Sequence, residues 1–188
     1  MLGEGKTQVL ERLSPEETEA RIAACHPDIQ AVVSYWRSKV GGRRMPQRTD
    51  IEPSDLKPYL SRMTLVDVVP DARRFVYRLV GTEEVASRGS DPTGRSVAEA
   101  YFAASAEESL MYYDHVARYG EPYCFRDDYQ APDGAMETQD VIFLPLSENG
   151  ETVNMILVFY YDYKFHARVE ESSVLLRYHA WADDENKD

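Results

Sequence analysis

Apolar side chains recur at helical spacing in the first part of the chain. Ile29, Val32, Val33 and Trp36 stand at positions i, i+3, i+4 and i+7, so they would share one face of a helix. We predict this helix over residues 27–40, where the following glycine pair ends it. Its apolar stripe must be covered, either by the free face of a sheet or by a second subunit.

An earlier helix is predicted from its start signal. Ser14 is a suitable N-cap, Pro15 fits the first helical position and Glu17 completes a capping box. His26 should end the helix, because a residue that precedes a proline avoids the helical conformation. We therefore expect three parts: a helical appendage (1–26), a domain with a flanking helix (27–165) and a C-terminal helix or tail (166–188).

The spacing of apolar residues changes to that of strands after residue 60. Stretches rich in β-branched and aromatic residues alternate with short turn sequences, two of which contain Asp-Gly or Asn-Gly. The predicted strands are a hairpin (62–69 and 74–80) and a three-stranded meander (123–129, 136–146 and 152–161).

Between the hairpin and the meander the sequence predicts helices. They are a short helix capped by Thr82, a helical region from Ser96 to Phe102 and a longer helix over 104–119. Two strands, a helical crossover and three strands predict an α+β fold. We expect one five-stranded antiparallel sheet with the crossover on one face, preceded by the N-terminal helices.

The charge and the cysteine content exclude several classes of protein. The chain of 188 residues has 21 basic and 33 acidic side chains, so its net charge of −12 disfavours binding to nucleic acid or to anionic membranes. Its two cysteines, Cys25 and Cys124, form neither a CxxC motif nor a disulfide framework, which fits a cytoplasmic location. No apolar run is long enough for membrane insertion.

Candidate chemistry is sparse in this sequence. The histidines do not have metal-ligand spacing, no Ser/His/Asp constellation can be argued, and we expect no cofactor and no catalytic residue. Asp67 lies on the first strand, and we predict that it faces solvent or pairs with an arginine. Arg43, Arg44 and Arg48 should fix an irregular segment through carboxylates such as Asp50.

Five segments of the chain carry a resemblance to a known family. They are Tyr35-Trp36, the run GRRMPQRTDIEP at 42–53, YRLVGT at 77–82, DPTGR at 91–95 and LPL at 144–146. Together they make residues 28–162 similar to a PAS-domain family of short, stand-alone bacterial sensory proteins. The resemblance implies a sensory or interaction module, a PAS-like fold with a cavity between sheet and helices, and no catalytic residues.

Aromatic side chains are expected around that cavity. The chain has 13 tyrosines, whose rings suit a ligand pocket with a few polar groups but also suit a filled core. Strand alternation and the position of the long helix lead us to predict six ligand-binding residues: Tyr77, Leu79, Phe102, Tyr113, Phe143 and Phe159.

The sequence thus predicts a module that works by binding. A small ligand or a signalling protein would shift the packing of the helices, and the apolar stripe Ile29, Val32, Val33 and Trp36 would form a homodimer interface. Two alternatives stay open at this point. One is a small α+β cone-barrel enzyme, and the other is a haem-binding sensor that uses His115.

Overall fold

The computed structural model describes residues 10–103, 105–130, 134 and 136–163, which contain four α-helices, five strands and two short 3₁₀-helices (Arg48–Asp50 and Leu60–Arg62). The helices are α1 (Pro15–Ala24), α2 (Pro27–Ser38), α3 (Thr82–Arg88) and α4 (Ala106–Tyr119). The strands are β1 (Met63–Val68), β2 (Phe75–Val80), β3 (Tyr123–Gln130), β4 (Met136–Leu146) and β5 (Met155–Tyr163). The predicted C-terminal helix or tail lies outside the described residues.

All five strands form one antiparallel sheet in the order β2-β1-β5-β4-β3. The hairpin and the meander are therefore joined through β1 and β5, the first and last strands in sequence. This arrangement confirms the predicted α+β fold with its helical crossover between the second and third strands.

The sheet is covered on both faces. Helices α1 and α2 pack on one face, which we call the N-terminal face, and α4 packs on the other, the crossover face. The register assigns side chains to these faces: Phe143 pairs with Val158 on the crossover face, and Ile142 pairs with Phe159 on the N-terminal face.

Burial of the α2 stripe corrects the predicted interface. Ile29, Val32, Val33 and Trp36 are only 0–5% exposed, because they pack against β4 and β5 of the same chain. The Trp36 indole N–H also donates a hydrogen bond of 2.9 Å to the carbonyl of Pro145. These residues are not available to a partner. Homodimerisation stays a prediction, and it would require another surface.

The start of α1 forms as its sequence predicts. The Ser14 hydroxyl accepts a hydrogen bond from the Glu17 N–H, and the Glu17 carboxylate accepts one from the Ser14 N–H. The chain then turns at His26, whose ring stacks on Tyr161 at a centroid distance of 3.3 Å. The Arg43–Asp50 pair (2.6 Å) and the Arg78–Asp67 pair (3.2 Å) also form as expected.

Two details of the crossover differ from the prediction. The segment from Ser96 is a capped turn rather than a helix, because the Ser96 backbone pairs with Val76 as a short extension of the sheet. The N-cap of α3 is Gly81 rather than Thr82. A β-carbon at Gly81 would lie 2.3 Å from the Ser61 carbonyl oxygen, so only glycine fits this approach.

A β-bulge in the hairpin reverses the expected orientation of Leu79. Leu65 pairs with Leu79 but Val66 pairs with Tyr77, so β2 has one extra residue at Arg78. Tyr77 and Leu79 therefore lie on opposite faces despite being two residues apart. Leu79 is 48% exposed, whereas Tyr77 is buried on the crossover face.

No described helix is long and apolar enough to cross a membrane.

Candidate functional site

A cavity of about 70 Å³ lies between the crossover face of the sheet and helices α3 and α4. Its floor comes from all five strands and its roof from the two helices and the segment just before α4. The lining residues are Thr64, Tyr77, Glu84, Arg88, Phe102, Ala103, Glu108, Ser109, Tyr112, Tyr113, Phe125, Asp127, Gln139, Val141, Phe143, Val158 and Tyr160.

Four of the six predicted ligand-binding residues line this cavity: Tyr77, Phe102, Tyr113 and Phe143. The other two predicted residues, Leu79 and Phe159, do not line it. Leu79 is turned to the N-terminal face by the bulge at Arg78. Phe159 lies on that face as well, where its ring meets Tyr59 edge-on at 5.5 Å.

Aromatic rings fill much of the space between the sheet and α4. Tyr112 stacks on Phe125 at 4.2 Å between centroids, and Tyr113 meets Phe143 edge-on at 5.0 Å. Burial raises the pKa of the Tyr113 phenol well above its ordinary value, so this hydroxyl stays protonated. The rings reduce the cavity to room for a few non-hydrogen atoms.

A buried ion pair closes one side of the cavity. The Glu84 carboxylate and the Arg88 guanidinium are 2.6 Å apart, and each side chain is only about a tenth exposed. Arg88 also donates to the Ala100 carbonyl (2.9 Å) and to the Tyr77 hydroxyl (3.3 Å). This pair was not predicted from the sequence, although glutamate and arginine four residues apart on a helix are a recognisable signal.

Carboxylates are the main charged groups at the side of the cavity opposite the Glu84–Arg88 pair. Asp127 on β3 lines the cavity. Gln139 on β4 pairs with Asp127 on one side and with Asp162 of β5 on the other, so the two carboxylates lie on the same face of the sheet. The Tyr129 hydroxyl is 2.8 Å from Glu137 Oε2 and 3.3 Å from Asp162 Oδ1. Burial and the neighbouring Glu137 carboxylate raise the pKa of Asp162 to about 6. This side therefore holds closely spaced carboxylates at neutral pH.

The cavity floor contains the buried hydroxyl of Thr64. Thr64 is 4% exposed and lines the cavity from β1, next to Val158 in the register. Among the described residues, its Oγ1 has no hydrogen-bond partner. A buried hydroxyl without a hydrogen-bond partner lowers the stability of the fold, because it has lost its hydrogen bonds to water. A bound molecule that forms a hydrogen bond with it would remove this penalty.

His115 does not reach the cavity. It is buried on α4 with its ring 4.6 Å from the Tyr123 ring and 4.8 Å from the Tyr119 ring. Burial lowers the pKa of its imidazole. The residues of α4 that line the cavity are Glu108, Ser109, Tyr112 and Tyr113. The described part of the chain also has no cluster of three or more His, Cys, Asp or Glu side chains suited to a metal ion.

A larger and more open groove of about 730 Å³ runs along the start of α1 and the loop before β3. Ion pairs cross its surface, between Arg12 and Glu121 and between Arg37 and Glu19. The Arg44 guanidinium donates to the Tyr119 carbonyl at 2.7 Å. These charges already satisfy one another, so the cavity beneath α4, which is more enclosed, is the better candidate for a binding site.

Comparison with known proteins identifies one family. The family PAS_5, described as a PAS domain, matches residues 24–160. No curated protein matches the sequence.

Several solved structures are similar to this chain at low sequence identity. The PAS domain of an HTR-like protein from Haloarcula marismortui is 19% identical, with a TM-score of 0.38 over 58% of this chain and 90% of that one. The PAS domain of Bordetella pertussis BvgS is 12% identical, with a TM-score of 0.45 over 60% and 83%. The Vibrio cholerae VqmA dimer structure is 14% identical, with a TM-score of 0.46 over 61% of this chain, which spans 52% of VqmA.

Proposed function

Because the chain belongs to the PAS domain family, we propose that it is a sensory module that binds a small organic cation in the cavity beneath α4. The observation that carries the proposal is the combination of a carboxylate-rich lining with the Thr64 hydroxyl, which has no partner among the described residues. The proposal includes no catalytic step.

The charge balance of the lining favours a positive ligand. Three carboxylates, Glu84, Glu108 and Asp127, face the cavity together with one described cationic side chain, Arg88. Arg88 is paired with Glu84. Among the described lining residues, carboxylates therefore outnumber cationic side chains by three to one. A desolvated cation is stabilised by such carboxylates and by the faces of aromatic rings.

Hydrogen bonding supports the same ligand class. An ammonium group carries several N–H donors, and the Thr64 Oγ1 and the Gln139 side chain offer acceptors at the cavity floor. A bound amine would therefore satisfy the hydroxyl that has no partner among the described residues.

The size of the cavity limits the ligand. Sites for drug-sized molecules measure about 300–1,000 Å³, whereas this cavity has about 70 Å³. A short primary amine of a few heavy atoms fits this space, but a haem or flavin does not without displacing the rings of Tyr112 and Tyr113.

Signalling would follow from a shift in the packing of α4. A ligand that contacts Ser109 and Tyr113 from below binds one arrangement of α4 on the sheet more tightly than another. Typical coupling of this kind is about 1–3 kcal/mol, and a signalling protein that contacts α4 would detect it. The cytoplasmic location of this event stays a prediction.

The test measures thermal stabilisation and native mass spectra with ethylamine, 1,4-diaminobutane and, as matched anions, propionate and succinate. The proteins are the wild type, Thr64→Val and the control Leu79→Ala, whose side chain lies on the opposite face. We expect the amines alone to stabilise the wild type and the control. Loss of one hydrogen bond in Thr64→Val should weaken amine binding about five- to tenfold.

Equal stabilisation by carboxylates and amines would contradict the proposed ligand class. Equal amine affinity in Thr64→Val and the wild type would contradict the proposed position of the ligand.

A further inference from the structure

The two cysteines of the chain meet beneath the N-terminal face of the sheet. Cys25 ends α1 and Cys124 lies on β3, 99 residues later, yet their Sγ atoms are 2.7 Å apart. Both are buried, at 4% and 1% exposure, and both are free thiols. No other cysteine exists in the sequence, so no competing pairing is available within the chain.

Several independent contacts hold the two thiols in place. The His26 N–H donates to Asp140 Oδ2 at 2.7 Å, which fixes the turn directly after Cys25. The Gln30 side chain donates to the Cys25 carbonyl at 2.8 Å. Cys124 is held by its position in β3, where it pairs with Ile142 of β4. The approach of the two sulfurs is therefore a property of the fold and not of one flexible side chain.

We propose that Cys25 and Cys124 are an oxidative modification site that forms an intramolecular disulfide when the protein meets hydrogen peroxide. One thiol loses its proton, its thiolate attacks the peroxide and the O–O bond breaks. The departing hydroxide takes up a proton, so a sulfenic acid and water form. The second thiol then attacks the sulfenyl sulfur, which forms the S–S bond and releases a second water. Two thiols and one peroxide thus give one disulfide and two waters.

The short distance between the two sulfurs favours the disulfide, while the burial of both thiols slows its formation. A disulfide requires the sulfurs to approach to about 2.05 Å, a small change for groups that already touch. The reacting species is the thiolate, however, and the hydrogen bond with Cys25 together with burial raises the pKa of Cys124. The pair should therefore resist brief exposure to oxidant and respond to sustained exposure.

The Cys25–Cys124 disulfide would link the α1–α2 turn to β3, a strand that also lines the cavity. Cys124 faces the N-terminal helices, while the next residue, Phe125, lies on the opposite face of β3 and lines the cavity. Oxidation would therefore stiffen the strand beneath the proposed ligand site.

The experiment treats the full chain with hydrogen peroxide for increasing times, then denatures it and labels free thiols with N-ethylmaleimide. We expect the reduced protein to take up two labels. The oxidised protein should take up none, lose the mass of two hydrogen atoms and regain both labels after dithiothreitol. The oxidised wild type should also unfold at a temperature higher by on the order of 10 °C, since the bond closes a long loop.

The variants Cys25→Ser and Cys124→Ser are the matched controls, and neither should gain thermal stability on oxidation. The labelling of the wild type keeps the test decisive even if a serine variant folds poorly. Two labels retained after prolonged oxidation, or oxygen added to separate cysteines, would overturn the proposal. These outcomes do not depend on any ligand, so they leave the proposed cation site untouched.

Discussion

At the scale of single residues, Asp140 is the charge most deeply buried in the described fold. Its carboxylate is fully buried and pairs with Arg126 at 2.8 Å. It also accepts the His26 N–H at 2.7 Å and the Tyr163 hydroxyl at 2.8 Å. One side chain on β4 thus holds the α1–α2 turn and the end of β5 together.

Asp140→Ala should therefore be strongly destabilising. The change removes the carboxylate partner of Arg126 and the acceptor of the part-buried His26 N–H. Breaking a buried pair costs about 3–5 kcal/mol of unfolding free energy, and we expect the lower end of that range because Arg126 is 33% exposed. Urea unfolding of the variant measures this loss. The control is Asp67→Ala, which breaks a pair with the exposed Arg78 and should cost less than about 1 kcal/mol. Similar losses in the two variants would contradict the role assigned to Asp140.

The raised pKa of Asp162 predicts that the stability of the protein depends on pH. Its pKa is raised from 3.8 to about 6, so the folded state holds a proton that the unfolded state releases between these values. This group therefore lowers stability as pH rises, and the loss is complete above about pH 6. Asp162→Asn removes the effect, so the variant should gain about 1 kcal/mol over the wild type at pH 8, after allowance for partial exposure.

Urea unfolding at pH 4 and pH 8 checks this prediction. The stability difference between Asp162→Asn and the wild type should be small at pH 4 and should favour the variant at pH 8. A difference that is the same at both values would show that Asp162 is not held protonated by the fold.

At the scale of elements, the junction between the hairpin and α3 depends on Gly81. Its φ of −63° is ordinary, but a β-carbon would lie 2.3 Å from the Ser61 carbonyl and 2.8 Å from that of Leu60. Gly81→Ala must push these backbones apart and should cost about 2–3 kcal/mol of unfolding free energy. Gly42→Ala has a positive φ of 81° but nothing within 4 Å of the new carbon, and should cost about 1 kcal/mol.

Thermal and urea unfolding of these two alanine variants separate the two effects. If Gly42→Ala proved as damaging as Gly81→Ala, the close approach to Ser61 would not explain the glycine at position 81.

Elements that depend on local signals were predictable from the sequence. The capping box at Ser14 and the spacing of Ile29, Val32, Val33 and Trp36 define α1 and α2 within a few residues, because caps and periodicity act within one or two turns. The strands followed from alternation and turn dipeptides in the same way.

The features that could not be predicted from the sequence depend on contacts between segments that are distant in the chain. The bulge at Arg78 follows from the pairing of two strands, and alternation within β2 does not reveal it. The face of Phe159 depends on its register with β1 and β4, and the cover for the α2 stripe depends on β4 and β5 of the same chain. Pairing across the chain also brings Cys25 to Cys124, which spacing in sequence does not indicate.

At the scale of the whole molecule, the sheet separates two functional regions. The crossover face has the cavity with its carboxylates and aromatic rings, and the N-terminal face has the cysteine pair and the Asp140 contacts. Strand β3 contributes to both, through Phe125 and Asp127 on one side and Cys124 on the other. Ligand binding and oxidation would therefore act on the same strand from opposite faces.

The crystal structure of the protein with the tightest-binding short amine tests the central claim most directly. We predict that the amine nitrogen lies in the cavity beneath α4, within hydrogen-bonding distance of Thr64 Oγ1 and near the Asp127 carboxylate. An amine bound only in the open groove beside α1, or side chains of Tyr112 and Tyr113 that leave no space above Thr64, would contradict the account.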